Sequence, residues 1–426
     1  MEQAGQHLRV ALFSSWMPRR CGIATFTKDL RDALVAADPA ITTGVLAIDE
    51  PGSQRDYGSA LIARVRQYEA ASYREAAARA HRWGADLVNV QHEFGLYGTD
   101  DGVTYADHLA CFLQDLRVPA MTTLHTVLPR PTIQMREIVR AIARGSATVV
   151  VMSTTARRLL RDDYGIDEPA TVIPHGAPSI TRAPGARAVA KVRLGLGGRT
   201  VVSTFGLVDP RKGLEYAIDA IAAVVREHPD ILYVVAGQTH PELIRREGEA
   251  YRAGLVRRVA ERGLEDHVRF VDEYLALDRI VDLLRASDAY VTPYLDPNQI
   301  TSGTLAYAMA AGCATISTPY LHATEALSDG RGLFVDFRSS EQIAAALRAI
   351  LGAPAVQHAL EERAYAYGSQ AAWPRVGAQV LVRMSALLGR AAGPDWSTGR
   401  SAEQRSADLR RRPVASEAMV LEGASR

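Results

Sequence analysis

The sequence predicts an α/β protein built as two successive parallel-sheet domains, and three observations carry that reading. Short β-branched runs alternate with amphipathic helical segments along most of the chain, the rhythm of repeated strand–helix units in a parallel sheet. At 426 residues the chain exceeds one ordinary hydrophobic core, so two domains are expected. The rhythm also pauses once, in a stretch rich in Gly, Pro, Ala and Arg, and then restarts.

The first strand is expected at about Leu8 to Ser15. A Pro/Gly/Cys loop follows, then a helix with Phe26, Leu30, Ala33, Leu34 and Ala37 on one face, a helical rather than strand-like spacing. Further strands are expected at Gly44–Ile48, Leu87–Gln91, Ala120–Leu124, Thr148–Met152 and Thr171–Pro174. The pause occupies residues 176–199, and the interdomain linker is placed at 181–199, between a first domain at 1–180 and a second at 200–370. The second half opens on Thr200–Phe205 and a helix carrying Leu214, Ala217, Ile218, Ile221 and Val225. Strands follow at Ile231–Ala236, Val268–Val271, Ala289–Thr292, Ala314–Ser317 and Gly332–Val335. A helix from Trp373 to Leu388, within 371–390, is expected to pack back on the first domain. Residues 391–426, polar and Arg-rich, read as a disordered tail. Its LRRRP run suits a solvated tail better than a phosphate or anionic-lipid contact.

Composition narrows the class. Lys plus Arg number 49 against 48 acidic residues, a net charge of +1, which argues against a nucleic-acid binder with its concentrated basic surface. Three widely spaced cysteines form neither a metal motif nor a disulfide framework, so a reducing cytoplasm is the simplest setting. No run reaches the ~18 apolar residues of a membrane span, and the N-terminal apolar stretch is too short for a signal peptide. Peripheral membrane contact stays open.

In open α/β sheets ligands bind beyond the carboxyl ends of the strands, and four loops there stand out. In Pro18 to Thr25, Gly22 permits close backbone approach and the helix start offers free N–H groups to an anion, although an ordinary strand–helix turn explains the loop equally well. It is not the GxGxxG dinucleotide fingerprint. His92 with Glu93, and His125, follow strands. One such histidine is most simply structural, but two at equivalent strand ends point to a cleft. Arg211 and Lys212, after Gly206, stand at a helix start, where side-chain charge and the positive helix end both favour a diphosphate over a merely solvated pair. Ser302, Gly303 and Thr304 open an Ala-rich helix. Simple N-capping accounts for one of these hydroxyls, and a second phosphate site accounts for the cluster.

The ordered set of motifs from residue 8 to 390 resembles glycosyltransferase family 4, retaining enzymes of the GT-B fold, in which two Rossmann-like domains face each other across a cleft. FGLVDPRKGLEYAIDAI is similar to that family's donor-phosphate loop, with Arg211 and Lys212 at the matching cations. VRFVDEY resembles its base-binding loop, ASDAYVTPY the strand before its signature, and YLHATEALSDGRGLFVD its late segment through Glu325, Gly330 and Gly332. PRRCGIATF matches its glycine loop, TLHT its cleft histidine and VIPHG its end-of-domain turn. One departure stands out. The family carries two glutamates, with seven residues between them, before an AMA-containing helix, and anchoring on Ala308-Met309-Ala310 puts those positions at Gln299 and Tyr307. In the family the first contacts the transferred sugar and the second the nucleotide ribose. Gln299 still offers hydrogen bonds but no full charge, and Tyr307 a single hydroxyl.

The resemblance implies transfer of a hexosyl group, with retention, from a nucleotide diphosphate sugar to an acceptor hydroxyl on a glycan, lipid or small molecule. His125, Arg211, Lys212 and Gln299 are then the expected catalytic residues. Gly22, Gly206, Arg211, Lys212, Ser302, Gly303, Thr304 and Tyr307 are expected on the donor, and His92 and Glu93 on the acceptor. No carboxylate cluster suggests a metal, so no cofactor is expected. A GT-B sugar-nucleotide epimerase or phosphorylase-like enzyme, and a non-catalytic sugar- or nucleotide-binding protein, remain as alternatives.

Overall fold

The computed structural model describes residues 7–100, 105–168 and 170–390. The Arg-rich segment 391–426, read from sequence as a tail, lies outside the described residues.

The first domain begins with β1 (Arg9–Ser14), α1 (Gly22–Ala37), β2 (Thr42–Asp49), β3 (Leu61–Arg66) and α2 (Ala70–Trp83). It continues through β4 (Leu87–His92), the small strands β5 (Gly98–Asp100) and β6 (Tyr105–Asp107), and α3 (Leu109–Asp115). β7 (Ala120–Leu124), α4 (Ile133–Gly145), β8 (Thr148–Val151), α5 (Thr154–Asp162) and β9 (Thr171–Val172) complete it. Seven parallel strands form one sheet in the order β3-β2-β1-β4-β7-β8-β9, and β5 and β6 pair separately as an antiparallel hairpin. β1, β4 and β7 are buried on both faces, as a helix-covered parallel sheet requires.

The second domain runs through α6 (Ala186–Arg193), β10 (Thr200–Phe205), α7 (Leu214–Val224), β11 (Ile231–Ala236), α8 (Pro241–Glu247) and α9 (Ala250–Glu261). Then come β12 (Val268–Val271), α10 (Leu277–Ala286), β13 (Ala289–Thr292), α11 (Gly303–Ala311) and β14 (Thr315–Ser317). α12 (Leu321–Ala326), β15 (Leu333–Phe334), α13 (Ser340–Leu351) and α14 (Pro354–Gly368) follow. Its six parallel strands are ordered β12-β11-β10-β13-β14-β15.

The stretch 181–199, expected as the interdomain linker, contains a helix packed on the second domain. α6 lies inside it, and Ala190 and Leu196 are buried with Val201, Leu232 and Leu283 in the second domain's core. An ion pair from Lys191 to Asp288 (2.6 Å) ties α6 to the sheet. After α14 the chain recrosses as α15 (Trp373–Leu387), whose Trp373, Val376, Val380, Leu381 and Met384 fill a first-domain core with Phe26, Leu30 and Leu34 of α1. The helices touch closely because Gly377 brings no side chain, and a Cβ there would sit 2.9 Å from Ala33.

No single helix among the described residues is long and apolar enough to cross a membrane.

Both sheets reverse their winding at one place, between β1 and β4 in the first and between β10 and β13 in the second. In such sheets ligands bind outside the strand ends at that switch point.

Candidate functional site

The loops after β1, β4 and β7 and those after β10, β11 and β13 meet at these switch points. α1 starts on Cys21, whose Sγ caps Ala24 N (3.4 Å), so the amides of the first turn stay at the mouth. A Cβ on Gly22 would meet nothing within 4 Å, which leaves open space over the helix start.

Opposite, three backbones crowd together. Gly206 takes φ 124° after β10 and Gly237 φ 148° after β11, values that favour glycine. A Cβ on Gly237 would land on the Gly206 carbonyl, and one on Gly206 would stand 3.1 Å from Thr304 Cγ2. These glycines therefore let two strand-end loops reach the start of α11.

That start is capped by Ser302, whose Oγ accepts from Leu305 N (3.3 Å) and lies 3.2 Å from Thr304 Oγ1. The Ser302 amide donates to Nδ1 of His322 (2.8 Å), a buried histidine that the sequence reading did not single out. Thr304 Oγ1 also bonds the hydroxyl of buried Tyr294 (2.7 Å). Over the Tyr294 ring, 3.7 Å from its centroid, stands the Lys212 ammonium. The basic pair and the α11 start are thus joined through one tyrosine.

The two cations differ in state. Among the described residues Lys212 has no carboxylate within ion-pair distance. Arg211 is held in a two-pronged fork by Asp209, Nε to Oδ1 at 2.9 Å and Nη2 to Oδ2 at 3.0 Å. The Asp209 side chain also caps the short turn Pro210–Lys212 by accepting from Arg211 N (2.8 Å). Burial opposes ionisation of Asp209, but the Arg211 bonds outweigh it and hold the carboxyl below its usual range.

Both first-domain histidines expected at the cleft are buried. His92, expected on the acceptor side, has no exposed side-chain surface; its Nε2 bonds Asp107 (2.8 Å) and its ring stacks on Tyr97, so it braces the β5–β6 hairpin. Glu93 is the half-buried neighbour, accepting from Phe94 N (2.9 Å) and Thr126 Oγ1 (3.0 Å). His125 is 4% exposed, bonds Gln91 through Nε2 (2.8 Å) and meets Phe26 edge-on. Burial, with two neighbouring histidines, drives His125 well below the ordinary imidazole value. Burial takes His175 and His322 down to about 4. All three are neutral at pH 7, and His175 lies against Gly303, where a Cβ would meet its Nε2 at 2.8 Å.

The two departures sit differently. Gln299 Nε2 donates to Thr301 O (3.1 Å), folding the side chain onto its own loop. Tyr307 reaches out of its domain and donates to Asp29 on α1 (3.2 Å). Desolvation raises the pKa of Asp29 despite that bond. Other links cross the cleft: Arg20 to Gln238 (3.0 Å), Thr25 to Tyr274 (2.7 Å), and Glu325 to the amides of Thr154 and Thr155 (2.9 Å each) at the start of α5. Beside the carboxyl ends of β11 and β12 opens a cavity of about 370 Å³, walled by Ala236, Phe270, Val271 and Leu283 and rimmed by Asp272 and Arg279. Among the described residues no group of three His, Cys, Asp or Glu is arranged to hold a metal ion.

Two family models match this chain in succession, one described as Glycosyltransferase Family 4 over residues 21–178 and one as Glycosyl transferases group 1 over residues 190–367. A D-inositol 3-phosphate glycosyltransferase of Nocardia farcinica is 27% identical over 291 residues, covering 64% of this chain and 62% of that protein. A phosphatidyl-myo-inositol mannosyltransferase of Mycobacterium tuberculosis is 27% identical over 270 residues, covering 62% and 66%. The chain spans about six-tenths of the length of these relatives. In fold it is similar to Anabaena HepE, solved in complex with UDP and glucose, at a TM-score of 0.67 and 18% identity over 89% of this chain and all of that one.

Proposed function

The chain belongs to the family 4 glycosyltransferases of the GT-B fold, and from that premise we propose that it is a retaining hexosyltransferase using a nucleotide diphosphate sugar. The observation that carries this reading is the Lys212–Tyr294–Thr304 chain, which brings an ammonium without a carboxylate partner among the described residues to the amide end of α11. Charge develops on the departing diphosphate as the glycosidic bond breaks. A cation and helix-start amides already aimed at that place stabilise it without reorganising. Arg211 adds a second positive group, and Gly206 and Gly22 let backbone from either domain come close. The base would lie in the cavity beside Val271, in the VRFVDEY segment that resembles the family's base-binding loop.

The transferred sugar would face neutral His125, with Gln299 turning its amide from Thr301 towards a sugar hydroxyl. The acceptor hydroxyl would enter on the Glu93 side of the first domain, and the diphosphate oxygen would take its proton as attack proceeds from the same face. Inositol- and phosphoinositide-acting relatives favour a polyol acceptor. The step needs no metal, so a chelator should leave the rate unchanged.

The test is transfer by wild type and Lys212→Ala across nucleoside diphosphate sugars and polyol or glycan acceptors. The variant should stay folded and lose about 100-fold or more in rate. A folded variant with near-normal transfer would defeat the proposal. Turnover of the donor without acceptor would point to epimerisation, and a requirement for inorganic phosphate to phosphorolysis. Because Gln299 and Tyr307 stand where the family carries glutamates, non-catalytic sugar or nucleotide binding is the second reading, and binding without turnover across the panel would favour it.

A further inference from the structure

We infer that Asp209 is a positioning residue that competes with the diphosphate for Arg211 and so sets how readily the nucleoside diphosphate is released. The inference rests on the donor reading above and adds a residue to it.

Among the described residues three bonds reach the Asp209 carboxylate, all from Arg211: its backbone N at 2.8 Å, Nε at 2.9 Å and Nη2 at 3.0 Å. The first explains a cap on the Pro210–Lys212 turn and needs only an oxygen acceptor. The other two go further. They occupy the Nε–Nη2 edge, which is the planar fork by which arginine grips a phosphate or carboxylate with two parallel bonds. The Asp209 side chain is 11% exposed whereas that of Arg211 is 69% exposed, so the anion is fixed in the loop floor and the cation stands above it. A diphosphate arriving over Lys212 therefore meets one cation with no carboxylate partner and one already half neutralised. To use the Arg211 fork it must displace Asp209 or bind the outer edge within range of a fixed negative charge. Binding is weakened accordingly, and the leaving diphosphate departs faster. His240, whose Nδ1 caps the next turn beside the cluster, is kept uncharged mainly by burial and does not replace the missing charge.

The experiment uses the full chain. UDP, GDP, ADP and inorganic pyrophosphate are titrated calorimetrically into wild type, Asp209→Asn, Arg211→Ala and the double variant, with release rates by stopped flow. Asparagine keeps the cap on Arg211 N but carries no charge, and Asp209→Ala, which removes both, reports the cap alone; melting curves confirm folding. The nucleotide that wild type binds should bind Asp209→Asn about threefold to tenfold more tightly. Its release should slow by a similar factor, and kcat and the donor KM should fall together. In the Arg211→Ala background the same change should alter affinity less than about twofold. Equal or weaker affinity in a folded Asp209→Asn, or an undiminished gain without Arg211, overturns the role of Asp209. If wild type binds none of the four probes, the donor reading itself fails and this inference falls with it.

Discussion

Glu325 offers a clean perturbation because one side chain of the second domain finishes a helix of the first. Its Oε1 and Oε2 accept from Thr154 N and Thr155 N at 2.9 Å, the two amides at the start of α5 that Ser153, which caps Ala156 N at 3.1 Å, leaves unserved. Fully desolvated charged hydrogen bonds would be worth about 1.5–3 kcal/mol each. Glu325 is only half-buried, and water would replace it on the freed amides, so a helix cap together with its dipole is the better guide. That puts Glu325→Ala at about 1–2 kcal/mol of destabilisation, or about 2–8 °C in Tm for a domain of this size. The assay is calorimetry of wild type, Glu325→Ala, Glu325→Gln and Ser153→Ala at pH 7. Glu325→Gln should fall between, since one amide oxygen remains. The pH dependence has a defined sign. Burial works to raise the carboxyl, but the two amide donors outweigh it and hold its pKa below the ordinary 4.5. Its contribution is therefore complete above 4.5 and is lost as pH falls through the lower folded value, so the gap between wild type and Glu325→Ala should close on acidification. Coincident melting curves at pH 7, or a gap that does not shrink below pH 4.5, would refute the reasoning.

Three further outcomes follow. Tyr307→Glu, which restores the family's residue, should destabilise by on the order of 1–2 kcal/mol because two carboxylates would meet where Tyr307 now bonds Asp29 at 3.2 Å; adding Asp29→Asn should recover most of the loss in urea titrations. His175 and His322, held at about 4 against an ordinary 6.5, bind fewer protons folded than unfolded, so stability should fall as pH drops from 6.5 towards 4, by up to about 1.4 kcal/mol per pH unit per histidine; a flat Cm across that window contradicts their assignment as buried and neutral. Gly368→Ala should cost about 1–3 kcal/mol, since its Cβ would collide with the backbone of Met309 and Ala310, and a Tm equal to wild type would show that α14 can give way.

Much of the fold was readable because the central strands are short runs rich in apolar and β-branched residues, flanked by helices of clear period. Leu61–Arg66 escaped notice because it is an edge strand, LIARVR, whose arginines reach solvent and leave only Val65 buried. The hairpin of β5 and β6 has three-residue strands, too short to show alternation. α6 was hidden by the glycines and prolines around it, and it is held by tertiary packing rather than by a long apolar stripe. In the site, loops after strands pointed to Gly206, Lys212 and Ser302, since position along a parallel sheet implies the cleft. Side-chain direction was not readable: nothing near His92 in sequence announces that Asp107 will bury it. His322 and Asp29 act across gaps of 20 and 278 residues, to Ser302 and Tyr307, and leave no local mark. Asp209 did leave one, because an Asp directly before Pro is the spelling of a capped turn.

The recrossing of α15 has a consequence for synthesis. The sheet of the first domain is complete on paper once β9 has been made, yet the face of α1 that carries Phe26, Leu30 and Ala33 still lacks its contacts from residues 373–387. About 200 residues separate the two, which at ~5–20 residues per second is on the order of 10–40 s of translation. For that interval the nascent first domain carries an uncovered apolar face, so the last described helix acts as the closing stave of a domain begun at the other end of the chain.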